Sequence, residues 1–232
     1  MGDIHGGYKA LLECLQKVNF DYENDTLIQL GDVCDGWSEV YECVEELLKI
    51  KNLIAIRGNH DQWFYEFIRT GIHGSQWTQG AEATRSSYGK RSFMIPESHE
   101  KFFGTQLNYY IDDKNRCFVH GGFNRHYPIN KQAYQYIYYC DRDLWAQALS
   151  HGSMISNPKK YRFKNEFEEI FIGHTTTSHW NKDSKPMNAA NVWNLDTGGG
   201  FEGYLTIMNV DTKEYWQSTK LKELYPDERG RN

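Results

Sequence analysis

The sequence predicts an α/β fold whose polar functional groups collect at the ends of parallel strands. Three observations predict it. The first 70 residues alternate short β-branched runs with amphipathic helical stripes, an order that implies parallel strands and right-handed crossovers. Five groups of Asp, Asn or His stand beside glycines, four of them straight after an apolar run, where polar side chains are costly unless partnered. They are Gly2-Asp3-Ile4-His5-Gly6-Gly7, Gly31-Asp32-Val33-Cys34-Asp35-Gly36, Gly58-Asn59-His60-Asp61, His120-Gly121-Gly122 and Gly173-His174-Thr175. Finally, 232 residues with 39% hydrophobic content suffice for one domain, 1–232, with a substantial core.

Only Met1 precedes the first group, where an apolar strand is expected; that strand is either a stub or begins upstream of this numbering. Leu11, Leu12, Cys14, Leu15 and Val18 form a helical stripe over residues 8–18. A polar turn at 19–25 leads to a strand at 26–30. Ser38 is placed to cap a helix running to Ile50, with Val40, Tyr41, Val44, Leu47 and Leu48 inward. Residues 53–56 read as the next strand, and 62–69 as a helix burying Trp63, Phe64, Phe67 and Ile68.

Residues 70–90 read as a loop over the site followed by a short helix, and Pro96 opens a helix to about Leu107. A hairpin pairs 109–111 with 117–119 around Asp112-Asp113-Lys114-Asn115. The tyrosine-rich segment at about 124–164 reads as a partly helical cap, its rings packing rather than stacking on bases. From Val192 the pattern alternates, predicting antiparallel strands of a second sheet at 192–195, 204–208 and 214–216. The tail, about 222–232 and polar from Pro226, is expected to fray. His73, His99, His151 and His179 are expected on the surface.

Charge and composition narrow the function. A net charge of -5 argues against a general nucleic-acid binder, though bound cations can reverse the local field for an anionic substrate. No apolar run approaches the ~20 residues of a membrane helix, and no signal peptide is evident. The five cysteines form no CxxC; Cys14, Cys43 and Cys117 read as buried hydrophobes and Cys34 as a buried spacer, which suits a reducing cytoplasm.

The five groups carry a coherent chemistry. Asp3 and His5 are two apart on an extended segment and can face one ion. Asp32 is the natural bridge between two cations about 3.5–4 Å apart. Asn59, His120 and His174 complete the ligands of the second ion. Mixed N and O ligands without thiolate suit manganese, with iron or zinc also possible. Two such cations can generate a hydroxide at neutral pH and stabilise in-line displacement at phosphorus. His60 is placed to protonate the leaving oxygen, Asp35 to orient it, and Arg57 to hold a phosphoryl oxygen. Singly, each motif is as readily a turn or a strand boundary; in order, each at a strand end, they point to one metal site.

These motifs resemble the pattern GDxHG, GDxxDxG, GNH[DE], HGG, GH of calcineurin-like metallophosphoesterases, in particular bacterial serine/threonine phosphoprotein phosphatases and symmetrical diadenosine-tetraphosphate hydrolases. Gly80-Ala81-Glu82-Ala83-Thr84, Ile95-Pro96-Glu97, Asp143-Leu144-Trp145 and Leu195-Asp196-Thr197-Gly198 extend the likeness across most of the chain. The resemblance implies a sandwich of two mixed β-sheets flanked by helices. It implies Asp3, His5 and Asp32 on one metal, and Asp32, Asn59, His120 and His174 on the other. It also implies His60 with Asp35 as the acid pair and Arg57 on phosphate. The implied activity is hydrolysis of phosphomonoesters, phosphoproteins first, or alternatively of dinucleoside tetraphosphates; a catalytically idle scaffold is the third reading. Gly36 departs from the pattern, because the phosphatases carry there an Arg that grips phosphate; Arg125, His126 and Arg142 are the basic residues that could stand in. Thr176 in place of a second His favours the phosphatase branch, and Asp61 replaces the commoner Glu.

Overall fold

The computed structural model describes residues 1–154, 163 and 166–231. Helix α1 (Tyr8–Lys17) leads to strand β1 (Thr26–Gln29), helix α2 (Val40–Leu47), strand β2 (Asn52–Ala55) and helix α3 (Asn59–Thr70). β1 and β2 pair in parallel with Ile28 opposite Ile54, as the alternation requires. α1 buries Ala10, Leu11, Cys14 and Leu15, and α2 buries Val40, Cys43, Val44 and Leu47, so the helical stripes face one core. Met1 and Gly2 act as a short strand: Leu30 N donates to Met1 O at 3.0 Å, and Gly2 N donates to Thr206 O at 2.9 Å. They thereby join β1 to the antiparallel pair β8 (Thr206–Met208) and β9 (Tyr215–Gln217).

The second layer has five strands. The hairpin β3 (Tyr109–Ile111) and β4 (Arg116–Val119) is followed by β5 (Glu169–Ile172), β6 (Met187–Ala189) and β7 (Val192–Asn194), in the order β3-β4-β5-β7-β6. β4, β5 and β7 run parallel, while β3 and β6 run antiparallel at the edges. Leu30 and Ile56 from one layer meet Phe118, Phe171 and Leu195 from the other. Phe118 and Phe171, opposite in register, stack with centroids 4.9 Å apart. Helices α4 (Ala81–Gly89), α5 (Glu97–Thr105), α6 (Ile137–Cys140), α7 (Asp143–Met154) and α8 (Leu221–Leu224) complete the described elements.

Several expectations are corrected here. The 192–194 strand pairs with β5 and β6, not with 206–208, because its buried Val192 and Asn194 continue the parallel register of β5. α2 starts at Val40 with Glu39 as its cap; Ser38 instead donates its hydroxyl and amide to the Glu228 carboxylate, at 2.7 and 2.9 Å. α3 begins at Asn59, earlier than expected, so the third motif forms its first turn. His99 is fully buried: its Nε2 lies 2.7 Å from Glu45 Oε1 and its Nδ1 2.8 Å from the Tyr88 hydroxyl. Those two partners remove the cost of burying the ring.

Among the described residues after Pro226, two are tied to the body of the fold. Glu228 holds Ser38, and Arg231 N donates to Gly200 O at 2.8 Å. The cap tyrosines divide: Tyr138 is buried and Tyr139 half-buried, whereas Tyr127, Tyr134 and Tyr136 are exposed; Tyr161 lies outside the described residues. Cys14, Cys34, Cys43 and Cys117 are buried free thiols.

Candidate metal centre

The strand ends converge on one buried cluster. Asp3 and His5 follow the hydrogen-bonded Met1-Gly2 segment, Asp32 follows β1, Asn59 and His60 follow β2, His120 follows β4 and His174 follows β5. All seven are buried. Two sets of ligand atoms lie within 4.8 Å of one another: Asp3, His5 and Asp32, and Asp32, His120 and His174. Asp32 belongs to both. Asn59 Oδ1 is 3.3 Å from His120 Nε2, which brings it to the second set.

The glycines are explained by what passes over them. A Cβ on Gly58 would stand 2.0 Å from Asp32 Oδ1, and one on Gly173 would stand 2.1 Å from Asp3 Oδ1. Both carboxylates therefore lie directly against bare backbone. His5, Asp32, Asp35 and His174 are themselves left-handed, with φ of 50°, 56°, 66° and 67°. Each such residue costs on the order of 1–3 kcal/mol and survives only where its surroundings over-determine it. Asp61 does part of that work: its Oδ1 accepts Val33 N at 2.8 Å and Cys34 N at 3.1 Å, and its Oδ2 accepts Gln106 Nε2 at 2.8 Å.

Hydrogen bonding fixes the imidazole tautomers. His5 Nδ1 donates to Cys34 O at 2.8 Å, and His120 Nδ1 donates to Leu30 O at 2.7 Å. A carbonyl can only accept, so both Nε2 atoms are free to present lone pairs to the cluster. There they face oxygens: His120 Nε2 is 3.3 Å from Asp32 Oδ2, and His5 Nε2 is 3.6 Å from the same atom. Asp3 Oδ1 and Asp32 Oδ2 are buried without a hydrogen-bond partner among the described residues. Converging lone pairs with orphaned carboxylate oxygens are what a cation site offers when only protons are available. The donor set therefore fits divalent metal.

The titration behaviour has the same cause. Burial drives Asp32 upward, but His120 and His60 outweigh it and hold the carboxyl well below the usual range. Burial depresses His120, yet the Asp32 carboxylate beside it raises it to about 9. Burial, then the Asp196 charge, pushes Asp3 well up, and burial pushes His174 well down. His120 thus contributes stability to the metal-free protein that is complete below its ordinary 6.5 and lost as pH rises through about 9. In chelator, the melting temperature should lose this contribution across that window. Manganese affinity should rise over the same window, because the ion displaces the His120 proton. Calorimetric titration in buffers of different ionisation enthalpy would detect the released proton.

His60 and Asp35 form a dyad at the edge of the cluster. His60 Nδ1 lies 2.5 Å from Asp35 Oδ2, and His60 N donates to Asp32 Oδ1 at 3.0 Å. Two residues to which the sequence assigned no role in the site lock Asp35: Trp77 Nε1 donates to Oδ2 at 2.7 Å and Thr84 Oγ1 donates to Oδ1 at 2.5 Å. Both come from the 70–90 stretch expected over the site. A single buried Trp in an otherwise polar loop was the available signal.

Arg57 is not brought to the cluster. Its Nη2 is shared among the carbonyls of Phe103, Gly104 and Gln106, and its Nη1 donates to Gln62 Oε1 at 2.9 Å. The unsatisfied carbonyls at the end of α5 claim the guanidinium. Of the three basic residues considered as substitutes, Arg125 donates to Gln147, and His126 is exposed. Arg142 donates to His174 O at 3.2 Å and Thr175 Oγ1 at 2.7 Å, and so borders the fifth motif.

The calcineurin-like phosphoesterase family profile matches residues 1–178, which contain all five motifs. The chain belongs to the calcineurin-like phosphoesterase family. Serine/threonine-protein phosphatase 1 of Salmonella typhimurium is 24% identical to this phosphoesterase over 218 residues, covering 90% of each chain. The asymmetrical bis(5'-nucleosyl)-tetraphosphatase PrpE of Halalkalibacterium halodurans is 21% identical, covering 93% of this chain and 90% of its own. Among solved structures, a cold-active protein tyrosine phosphatase matches with a TM-score of 0.58 at 15% identity, covering 94% of this chain and 77% of its own. The phosphoesterase is accordingly a hydrolase of a dinuclear-metal-dependent family, with candidate ligands for the metal. Among the described residues, no helix is long and apolar enough to cross a membrane.

Proposed function

We propose that this phosphoesterase hydrolyses phosphomonoesters, in phosphoserine or phosphothreonine of proteins or in small molecules, at a pair of divalent cations. Asp3, His5 and Asp32 would hold one cation, and Asp32, Asn59, His120 and His174 the other. The observation that carries this reading is Asp32, common to both three-residue clusters, with the His60–Asp35 dyad beside it. When bound, the cations supply an activated water and Lewis-acid neutralisation of charge at phosphorus. Manganese is the proposed metal, since the N/O donor set lacks thiolate.

The chain's own residues do the remainder. Asp35, fixed by Trp77 and Thr84, holds the His60 Nδ1–H, so the opposite nitrogen, when the ring is an imidazolium, is the one that gives its proton to a leaving oxygen. Arg142, anchored at His174 and Thr175, adds positive charge at the rim.

One observation favours a second reading, hydrolysis of dinucleoside tetraphosphates. Tyr134 and Tyr136 stack on each other at 5.6 Å with both rings exposed, a face an adenine could extend. A substrate panel with manganese separates the two. Faster turnover of p-nitrophenyl phosphate and a phosphoserine peptide is expected. Release of two ADP from diadenosine tetraphosphate at a much higher rate would instead favour the second reading.

A further inference from the structure

Arg231 is the cation that the catalytic reading leaves unexplained. Its Nη1 lies 3.2 Å from His5 Nε2, the lone pair assigned above to a metal, and its Nη2 donates to Gln79 Oε1 at 2.9 Å. The guanidinium lies over the Phe201 ring at 5.0 Å. Its Nε is buried without a partner, and among the described residues no carboxylate forms an ion pair with it. A guanidinium placed this way has donors to spare, and the buried Asp196 carboxylate that feels its charge forms no ion-pair contact with it among the described residues.

The fold makes room for it. A Cβ on Gly200 would stand 2.6 Å from Arg231 Cδ, and one on Gly36 would stand 3.3 Å from Arg231 Cγ. Gly230 turns the chain with φ of 61°, and a Cβ there would meet Gly200 O at 2.7 Å. Three glycines thus open a slot that directs one arginine at the cluster, and Arg231 N is pinned to Gly200 O.

We propose that Arg231 is a substrate-binding residue, whose guanidinium engages the phosphoryl oxygens of the substrate at the first cluster. This rests on the phosphoesterase reading above. Once His5 Nε2 is given to a cation, the guanidinium loses that acceptor and faces like charge. An anion between the two suits both, and a phosphoryl group supplies oxygens for charge-assisted, bidentate hydrogen bonds. Gly36 leaves the space beside the second motif empty of a side chain of its own, and Arg231 fills it from a segment distant in sequence.

The test compares wild type, Arg231→Ala and Arg231→Lys, each loaded with manganese. Inorganic phosphate binding is measured by calorimetry, manganese binding by a separate titration, and p-nitrophenyl phosphate turnover alongside. Phosphate affinity is expected to fall about tenfold or more in Arg231→Ala, partly recovered in Arg231→Lys, with KM rising in step and manganese affinity not weakened. Unchanged phosphate affinity in Arg231→Ala, with or without tighter manganese binding, would overturn the proposal and leave Arg231 as a partner of His5 alone. A wild type that binds no phosphate would overturn it equally. A wild type that binds phosphate through Arg231 yet hydrolyses no ester would sink the phosphoesterase function while keeping the anion site.

Discussion

Replacing Asp32 by Asn is expected to lower kcat/KM for p-nitrophenyl phosphate by about 1,000-fold or more, the scale of losing several kcal/mol of transition-state charge stabilisation. The amide preserves shape: its oxygen can still accept the His60 amide, as Asp32 Oδ1 does at 3.0 Å. What disappears is the charge shared by both ligand sets. Oδ2, the atom facing His5 and His120, becomes a donor or a neutral acceptor and cannot bridge two cations. Metal content should fall from two manganese ions per chain, measured by elemental analysis after gel filtration. In chelator the melting temperature should also fall below about pH 9, because the charge that holds the His120 proton is gone. A variant that kept both ions and full turnover would remove the basis for assigning Asp32 as the bridge.

The second large effect concerns His60. His60→Gln is expected to reduce kcat by about 100- to 10,000-fold on a phosphoserine peptide, whose leaving alkoxide needs a proton. On p-nitrophenyl phosphate, whose leaving group departs unprotonated, the loss should be far smaller. Asp35→Asn should reproduce the pattern in weaker form. The asparagine can still orient the ring through its carbonyl but offers it no charge. Equal losses on both substrates would mean that the His60 ring shapes the site or binds substrate and moves no proton; its backbone amide to Asp32 is kept in the variant.

The sequence made the cluster legible because its ligands are local signals: short side chains beside glycines at strand ends. Asp3, His5, Asp32, Asn59, His120 and His174 do meet, and Asp35 lies beside His60. What escaped depended on distance in the chain. Trp77 and Thr84 look like ordinary loop and helix residues until they are seen on Asp35. Arg57 has the right charge beside the right motif, but the free carbonyls of α5 are a tertiary fact and they take its guanidinium. Arg231 sits in a polar tail with the composition of a fray, and no local pattern reveals that Gly200 and Gly36 leave it a slot. The 192–194 strand was read correctly as a strand but joined to the wrong partner, because alternation gives a strand's faces and not its neighbours.

Asp3 Oδ2 accepts the backbone amide of His174 across 171 positions of sequence. A pair of cations joined through Asp32 would staple the first motif to the fifth, closing a loop whose entropic cost is met only after the chain between them has collapsed. A growing chain leaving the ribosome could not assemble this pocket early, so loading would follow completion of folding. Occupancy would then serve as a certificate that the chain from the first motif to the fifth, and not merely its leading half, had reached its final arrangement.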